Sequence, residues 1–301
     1  MPGTIVVGLD GSTESRAAAE WAAREAELRD LPVKLVHVWQ PVPVPMAQAP
    51  LLGAETHRHW TERVLREVAE DLRQRHPGVE VSTEQRNGTP ARVLLDAAPD
   101  AELLVLGSRA LSGVGGFLVG SVGQSVTART EVPVVLVRAG EQAADEHLKD
   151  VVGIASAATG FRPVVLGLDT GSSYDQVISF AFEEARRRKA TLTVVHSWDL
   201  PPSSAYSVAG GYDPRADISR AQAGALTEVL LPWREKYPDV RVDEMSRRGS
   251  PARHLVDASR GASLVVVGRR VRRAPFGIHI GSVAHAVLHH AAAPVAVVAH
   301  D

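Results

Sequence analysis

A chain of 301 residues, 45% hydrophobic and 23% charged, is long enough for two ordinary domains with cores of their own, and its formal net charge of −2 gives no electrostatic reason to expect nucleic acid or an anionic membrane as partner. The absence of cysteine excludes disulfides, thiolate nucleophiles and thiolate-held metals. Met1-Pro2-Gly3-Thr4 ahead of Ile5-Val6-Val7 lacks the basic segment and long apolar core of a secretory signal, and no apolar run approaches the roughly 20 residues of a membrane span, so the expected location is cytoplasmic.

In chain order, Ile5 to Leu9 is a short β-branched apolar run, the pattern of a strand buried on both faces. Asp10-Gly11-Ser12 reads as a turn with an N-cap, and Arg16 to Leu28 as a helix rich in Ala and Glu. Leu35 to Val38 is a second strand, followed by a Pro-rich stretch from Gln40 to Gly53 and a charged helix from Thr56 to Arg75. Val79 to Glu84 alternates apolar and polar residues as a half-covered strand does, and Thr89-Pro90 opens a helix with proline near its first position. Leu103 to Leu106 is a central strand leading into a Gly-rich loop, Ser121 to Arg129 a helix, and Val134 to Val137 a fifth strand.

The second half repeats the first. Residues 86–107 and 247–268 share 12 identities in 22 positions at an offset of 161, which also relates Gly107 to Gly268, Gly120 to Gly281 and Pro133 to Pro294. Upstream the offset is 159: Gly8-Leu9-Asp10 matches Gly167-Leu168-Asp169, and His37-Val38-Trp39 matches His196-Ser197-Trp198. Strands are expected near Val164, Leu192, Val240, Leu264 and Val295, giving domains over residues 1–139 and 163–301. Residues 140–162 have no partner in the repeat and read as a linker with a short helix around Ala143 to Val151. Strands separated by helices make parallel βαβ units, so the fold class is α/β, with two tandem doubly wound, Rossmann-like, five-stranded sheets of strand order 3-2-1-4-5.

Neither a Walker lysine loop nor a G-x-G-x-x-G turn after the first strand is present, which sets aside a P-loop NTPase and an ordinary dinucleotide dehydrogenase. In an open parallel sheet the ligand sits at the carboxyl ends of the strands where their order reverses, here between strands one and four. That brings Asp10 near Gly107 and Gly120: a carboxylate for ribose hydroxyls, and loop amides, Ser121 and a helix N-terminus for phosphates. Taken singly, Asp10 is a turn residue and Gly120-Ser121 a helix cap; their joint recurrence in both copies is what favours a nucleotide.

The spacing Gly107-x2-Ala110-x9-Gly120-Ser121, after a Val-x-Gly-Leu-Asp first strand, resembles the G-x2-G-x9-G-[ST] motif of the ATP-binding universal stress protein family, and both copies match over nearly their whole length, as in tandem members of actinobacterial type. The resemblance implies that Gly8, Asp10 and Val38 contact adenine and ribose. Gly107, Ser108, Arg109, Ala110 and Gly113 line the phosphate path, and Gly120, Ser121 and Val122 hold the phosphates. In the second copy the matching positions are Gly167, Asp169, Ser197, Gly268, Gly281, Ser282 and Val283, with Arg270 offering charge-assisted bonds to phosphate. The motif's middle glycine is Ala110 in one copy and Val271 in the other; a requirement for positive φ there would penalise valine most.

The expected ligand is therefore ATP or another adenine nucleotide, with Mg as accompanying cation, and the expected role is a nucleotide-dependent switch in the stress response rather than an enzyme. A slow ATPase or self-phosphorylating protein, and a dimerising scaffold with degenerate sites, are the alternatives. Family members pair through the fifth strand, which implies a homodimer or an intramolecular domain pair. His285, His289 and His290 have zinc-like spacing but no further ligand nearby in sequence, so no metal site is assigned. His37 and His196 read as packing residues, and the loops 40–53 and 199–214 as lids.

Overall fold

The computed structural model describes residues 3–39, 54–110, 117–118, 120–171, 174–200, 215–271 and 280–301, and of residues 54–61, 109, 110, 117 and 118 the backbone alone. They form two compact units, the first running to Ala143 and the second comprising Ala144–Arg273 and Gly281–Asp301.

In the first unit the apolar run after Thr4 forms β1 (Ile5–Gly8). Ser12 then starts α1 (Thr13–Arg29) by accepting the Ser15 N–H at 3.1 Å. β2 (Val33–Trp39), α2 (Ala54–Arg75) and β3 (Val81–Asn87) follow, then α3 (Pro90–Ala97), whose proline sits in the first turn where its missing N–H costs nothing. β4 (Leu103–Ala110) outruns the strand expected from the sequence and pairs antiparallel with β5 (Phe117–Leu118), so part of the expected loop is a hairpin. α4 (Ser121–Arg129) and β6 (Val134–Arg138) complete the unit. Its strands run in the order β3-β2-β1-β4-β6, all neighbours parallel.

The second unit repeats this with β7 (Val164–Leu168), α5 (Asp175–Arg187), β8 (Leu192–Trp198), α6 (Arg215–Lys236), β9 (Val242–Arg248), α7 (Pro251–Ser259), β10 (Leu264–Arg270), α8 (Ser282–His290) and β11 (Val295–His300). Its order is β9-β8-β7-β10-β11, again all parallel. Each unit is thus a doubly wound α/β sheet of order 3-2-1-4-5. The third strand begins two residues later than the alternation at Val79 implies, because Val79 is buried in a turn, its N–H donating to the His76 carbonyl at 3.0 Å, before the ladder starts.

The stretch expected as a linker with a helix over 143–151 is instead a short 3-10 turn, Ala143–Glu146, followed by antiparallel bridges between His147 and Phe161 and between Lys149 and Ala155. Asp150 closes this hairpin: its Oδ1 accepts the N–H groups of Val152 and Ile154, both at 2.9 Å. Phe161 lies 4.1 Å from the His147 ring and 5.8 Å from the Arg188 guanidinium, ring centroid to partner.

Both first helices bury an ion pair as well as an apolar stripe. On α1, Ala18, Ala19, Trp21, Ala22 and Ala26 face the core, and Arg29 donates from Nε to Glu25 at 2.5 Å and from Nη1 to Glu102 at 2.9 Å. On α5 the equivalent pair, Glu184 and Arg188, is fully buried, and Arg187 adds a bond to Glu184 at 2.8 Å. Each helix passes into the next strand through a left-handed residue, Asp30 (φ 54°) and Lys189 (φ 50°), the two non-glycine positions at positive φ among the described residues.

Candidate functional site

A cavity of about 230 Å³ opens at the carboxyl ends of β1 and β4, the point where the strand order of the first unit reverses. Register explains its place: Gly8 ends β1 between Val36 on β2 and Leu106 on β4, and both neighbours run on past it. One wall is apolar, made of Leu9, Val36, Val38, Leu94 and Leu106 with Pro90 at its edge. Gly8 gives that wall its depth, because a Cβ there would stand 2.6 Å from Leu106 Cδ2 and 3.3 Å from Leu94 Cδ1.

The opposite wall is polar. Asp10 is exposed, and its Oδ1 accepts the Ser12 N–H at 3.0 Å and the Ser12 hydroxyl. Ser15 Oγ accepts the Asp10 N–H at 3.3 Å and donates to the Ser12 carbonyl at 3.0 Å. This knot at the head of α1 fixes where the carboxylate points. Facing it, α4 begins at Gly120 with no side-chain cap and no acidic residue in its first turn, and Gly120, Ser121, Val122 and Gly123 line the cavity. The first N–H groups of a helix lack intrahelical acceptors and carry the positive end of its dipole, a ready site for an anion.

Of the residues expected at the first site, Gly8, Asp10, Val38, Gly107, Gly120, Ser121 and Val122 line this one cavity. Ser108 does not: it is buried, and its hydroxyl donates to the Val137 carbonyl at 3.2 Å. Arg109 and Ala110 end β4, paired with Leu118 and Phe117, and Gly113 lies outside the described residues. Ser12, Glu14, Ser15, Pro90 and Leu94 also line the cavity and were not expected. The repeat of 86–107 in 247–268 pairs Pro90 with Pro251 and Leu94 with Leu255 but said nothing of a ligand.

Two expectations about glycine change. Gly107 does not clear a path for a ligand on its Cβ side, where a methyl would meet the Glu14 carbonyl carbon at 2.5 Å and Ser15 N at 2.7 Å; the position needs glycine so that α1 can close on β4. The motif's middle position does not need positive φ either. Ala110 is strand, and Val271 extends β10's pairing by donating its N–H to the His300 carbonyl at 2.7 Å.

In the second copy the strand ends match but the side chains differ. A Cβ on Gly167 would meet Leu255 at 2.8 Å, as Gly8 meets Leu94 and Leu106. Asp169 is exposed and accepts the Gly171 N–H at 3.1 Å. Ser197, at the position of Val38, is 3.0 Å from His254 Nδ1, and the first-copy equivalent of His254 is Val93. Gly268 is covered by Tyr174 and His300, whose rings lie 4.3 Å apart, tilted by 35°, and stand 2.8 and 2.9 Å from a Cβ placed on that glycine. The Tyr174 hydroxyl is pushed above its ordinary pKa by burial and by Asp169, with Arg270 opposing. Gly281 caps α8 at φ +89°, a conformation that requires glycine, whereas Gly120 caps α4 at φ −57°. Ser282 is exposed and Val283 half-buried in the first turn of α8.

His37 and His196 take the packing role expected: their Nδ1 atoms donate to the Leu9 and Leu168 carbonyls at 2.7 and 3.1 Å, tying the second strand of each unit to the end of the first. His285 and His289 stack at 4.3 Å, and burial followed by His289 holds the His285 pKa down. Among the described residues no three metal-ligating side chains gather, and no helix is long and apolar enough to cross a membrane. Of the lid expectations, 40–53 lies outside the described residues, as does 199–214 apart from Asp199 and Leu200.

A family model described as the universal stress protein family matches residues 1–138 and 160–299. A universal stress protein of Mycolicibacterium smegmatis is 37% identical over 305 residues, covering 98% of this chain and 96% of its own. The universal stress protein Rv2623 of Mycobacterium tuberculosis is 34% identical over 300 residues, covering 97% of this chain and 95% of its own. Among solved structures, a universal stress protein of Archaeoglobus fulgidus superposes with a TM-score of 0.69 at 17% identity over 99% of this chain and 98% of its own, a likeness of fold.

Proposed function

The chain belongs to the universal stress protein family, and from that premise we propose that its first copy binds an adenine nucleotide, ATP, and acts as a nucleotide-dependent switch in the stress response rather than as an enzyme. The observation that carries this reading is a single cavity joining an apolar slot, a carboxylate and an uncapped helix N-terminus. In this reading adenine lies between Val38 and Leu94, Asp10 accepts the ribose hydroxyls, and the amides of Ser121, Val122 and Gly123 take the phosphates. Ser108, Arg109 and Ala110 offer the phosphate path their backbone, and Gly113, which the resemblance puts beside them, lies outside the described residues. A Mg ion accompanying the phosphates would meet Glu14, the lining carboxylate that this reading does not commit to ribose.

The described lining holds no lysine, arginine or histidine side chain, which supports binding over phosphoryl-transfer chemistry. The nucleotide-binding domain is residues 1–139, joined through 140–162 to a second domain of 163–301, whose residues Gly167, Asp169, Ser197, Gly268, Arg270, Gly281, Ser282 and Val283 form a diverged site. The chain works in the cytoplasm, apart from nucleic acid and membrane, as a homodimer or intramolecular domain pair.

The test is calorimetric titration of the full chain with ATP, beside chromatography of nucleotide extracted from the purified protein. Between one and two nucleotides per chain is expected, with Asp10→Ala weakening the first site at least tenfold. A flat titration together with no extracted nucleotide sinks the reading. Incubation with γ-labelled ATP separates the switch from a slow ATPase: released phosphate above the Asp10→Ala background argues for hydrolysis.

A further inference from the structure

His76 follows the last turn of α2, is buried, and meets a carboxylate oxygen with each ring nitrogen. Nδ1 lies 2.8 Å from Glu27 Oε1 and Nε2 3.0 Å from Glu20 Oε1, both carboxylates belonging to α1. A neutral imidazole carries one N–H and one lone pair, so it can donate to only one of them. The two bonds together describe a ring that holds both protons.

The surroundings suit that charge. The His76 backbone N–H donates to the Leu72 carbonyl at 2.7 Å, which sets the ring at the carbonyl end of α2, where the helix dipole favours a cation. Around it stand Glu20, Arg24 and Glu27 of α1 and Asp71 and Arg75 of α2. Arg75 lies 2.7 Å from Glu20 Oε2 and bonds Asp71, and Arg24 lies 3.8 Å from Glu20 Oε1. Three carboxylates against two guanidiniums leave one negative charge, which the second ring proton cancels. Of the charged groups next along the chain, Arg73 donates to the Val81 carbonyl at 2.6 Å and Glu80 is exposed.

The second unit joins the same two helices without histidine. Tyr237 stands at the position of His76, offset by 161, while Ser179 and Arg186 replace Glu20 and Glu27 at the offset of 159. The Tyr237 hydroxyl donates to Glu183 Oε1 at 3.3 Å and lies 3.5 Å from Ser179 Oγ, with the Arg186 guanidinium 5.5 Å from the ring centre. Histidine is the side chain whose charge ordinarily changes between pH 5 and 8, and a phenol's does not.

We propose that His76 is a pH-sensitive latch confined to the first unit, in which the doubly protonated ring ties α2 to α1. Loss of a ring proton releases one carboxylate and sets a lone pair against it. The sign follows: the tie is complete at low pH and is lost as pH rises. Because α1 carries the Asp10–Ser12–Ser15 knot at its head, the helix that loosens is the one beside the cavity. The inference stands apart from the nucleotide reading and needs no ligand.

The experiment is hydrogen exchange of the full chain, read by mass spectrometry at about pH 5.5 and pH 8.5 and corrected for the intrinsic exchange rate. Protection of α1 and α2 is expected to fall at least fivefold at the higher pH, with α5 and α6 unchanged, and His76→Gln is expected to remove the difference. Equal changes in both units overturn the proposal, as does a pH dependence of α1 and α2 that survives in His76→Gln. Should that variant fail to fold, Glu27→Gln decides, since its side chain is 46% exposed and its loss leaves Glu20 in place. A pH dependence reduced in Glu27→Gln supports the latch, and one equal to that of the wild type refutes it.

Discussion

Gly107 and Glu14 approach so closely that a Cβ on the glycine would stand 2.5 Å from the Glu14 carbonyl carbon and 2.7 Å from its oxygen. A backbone cannot yield as a flexible side-chain end does, so Gly107→Ala must displace the head of α1, and with it the Asp10–Ser12–Ser15 knot. Thermal unfolding is expected to show a loss of about 3 kcal/mol, at the upper end of overpacking costs. A melting temperature within a degree of wild type would contradict the contact.

Gly120→Ala should separate fold from ligand. Nothing lies within 4 Å of a Cβ at this position, and its φ of −57° suits any residue. Stability is expected to stay within about 0.5 kcal/mol, as for substitutions that touch nothing. ATP affinity is expected to fall several-fold, because the methyl crowds the approach to the first amides of α4. Equal affinity in the variant and wild type would move the phosphates away from this helix end.

Ser12→Ala removes the N-cap of α1 and the hydroxyl bond to Asp10 together, leaving the backbone N–H bond in place. Loss of such a cap costs about 1 kcal/mol. Titration calorimetry is expected to show weaker ATP binding as well, by less than Asp10→Ala does. An affinity loss as large as that of Asp10→Ala would assign the ribose contact to the serine itself.

Tyr174 is the residue to remove in the second copy. Its ring covers Gly268, where the first copy has only the backbone of Glu14 and Ser15. Because this is the packing side of the strand and not the ligand side, Tyr174→Ser is expected to lower the melting temperature and to leave nucleotide stoichiometry unchanged; a rise towards two per chain would place the ring in the site. The hydroxyl also gives a pH signature. Because its folded pKa is raised by burial and Asp169, the stability it contributes is complete below the ordinary tyrosine value near 10 and is lost as pH rises through the folded value. Arg270 opposes that shift, so Arg270→Ala should move the ultraviolet titration of Tyr174 further up.

Glu184→Gln leaves Arg188 buried without its full counter-charge. Removing one partner of such a pair costs about 3–5 kcal/mol, whereas an exposed helix pair is worth a few tenths. Chemical denaturation should show the large value. A small one would mean that water reaches the arginine.

The strand order and the tandem repeat were legible because they rest on apolar runs, and an apolar strand buried on both faces has few alternatives. The site's location followed from topology for the same reason: Asp10, Gly107 and Gly120 stand at strand and helix ends whose neighbours are set by the order of strands. What was not legible is whatever depends on which segment covers which. Glu184 and Arg188 have the spacing of a solvated surface pair, and only their place under the hairpin base makes them core. Ala110 and Val271 looked like damaged glycines because a motif records residue identity and not φ. Residues 140–162 read as a linker with a short helix because they have no counterpart in the other copy, whereas the bonds of Asp150 to Val152, Gly153 and Ile154 make a hairpin turn there.

Asp30 and Lys189 stand 159 positions apart, the offset of the repeat itself, and both hold the same left-handed turn with side chains of opposite charge. Aspartate is among the non-glycine residues that enter this conformation most readily and lysine is not, and a side chain occupies it at a penalty of roughly 1 kcal/mol. The backbone path has outlasted the residues that trace it. For anyone wishing to harden the protein, these twin corners are the natural places to introduce glycine, since they lead from a helix into the amino end of a strand, whereas the cavity of the first unit lies at the carboxyl ends.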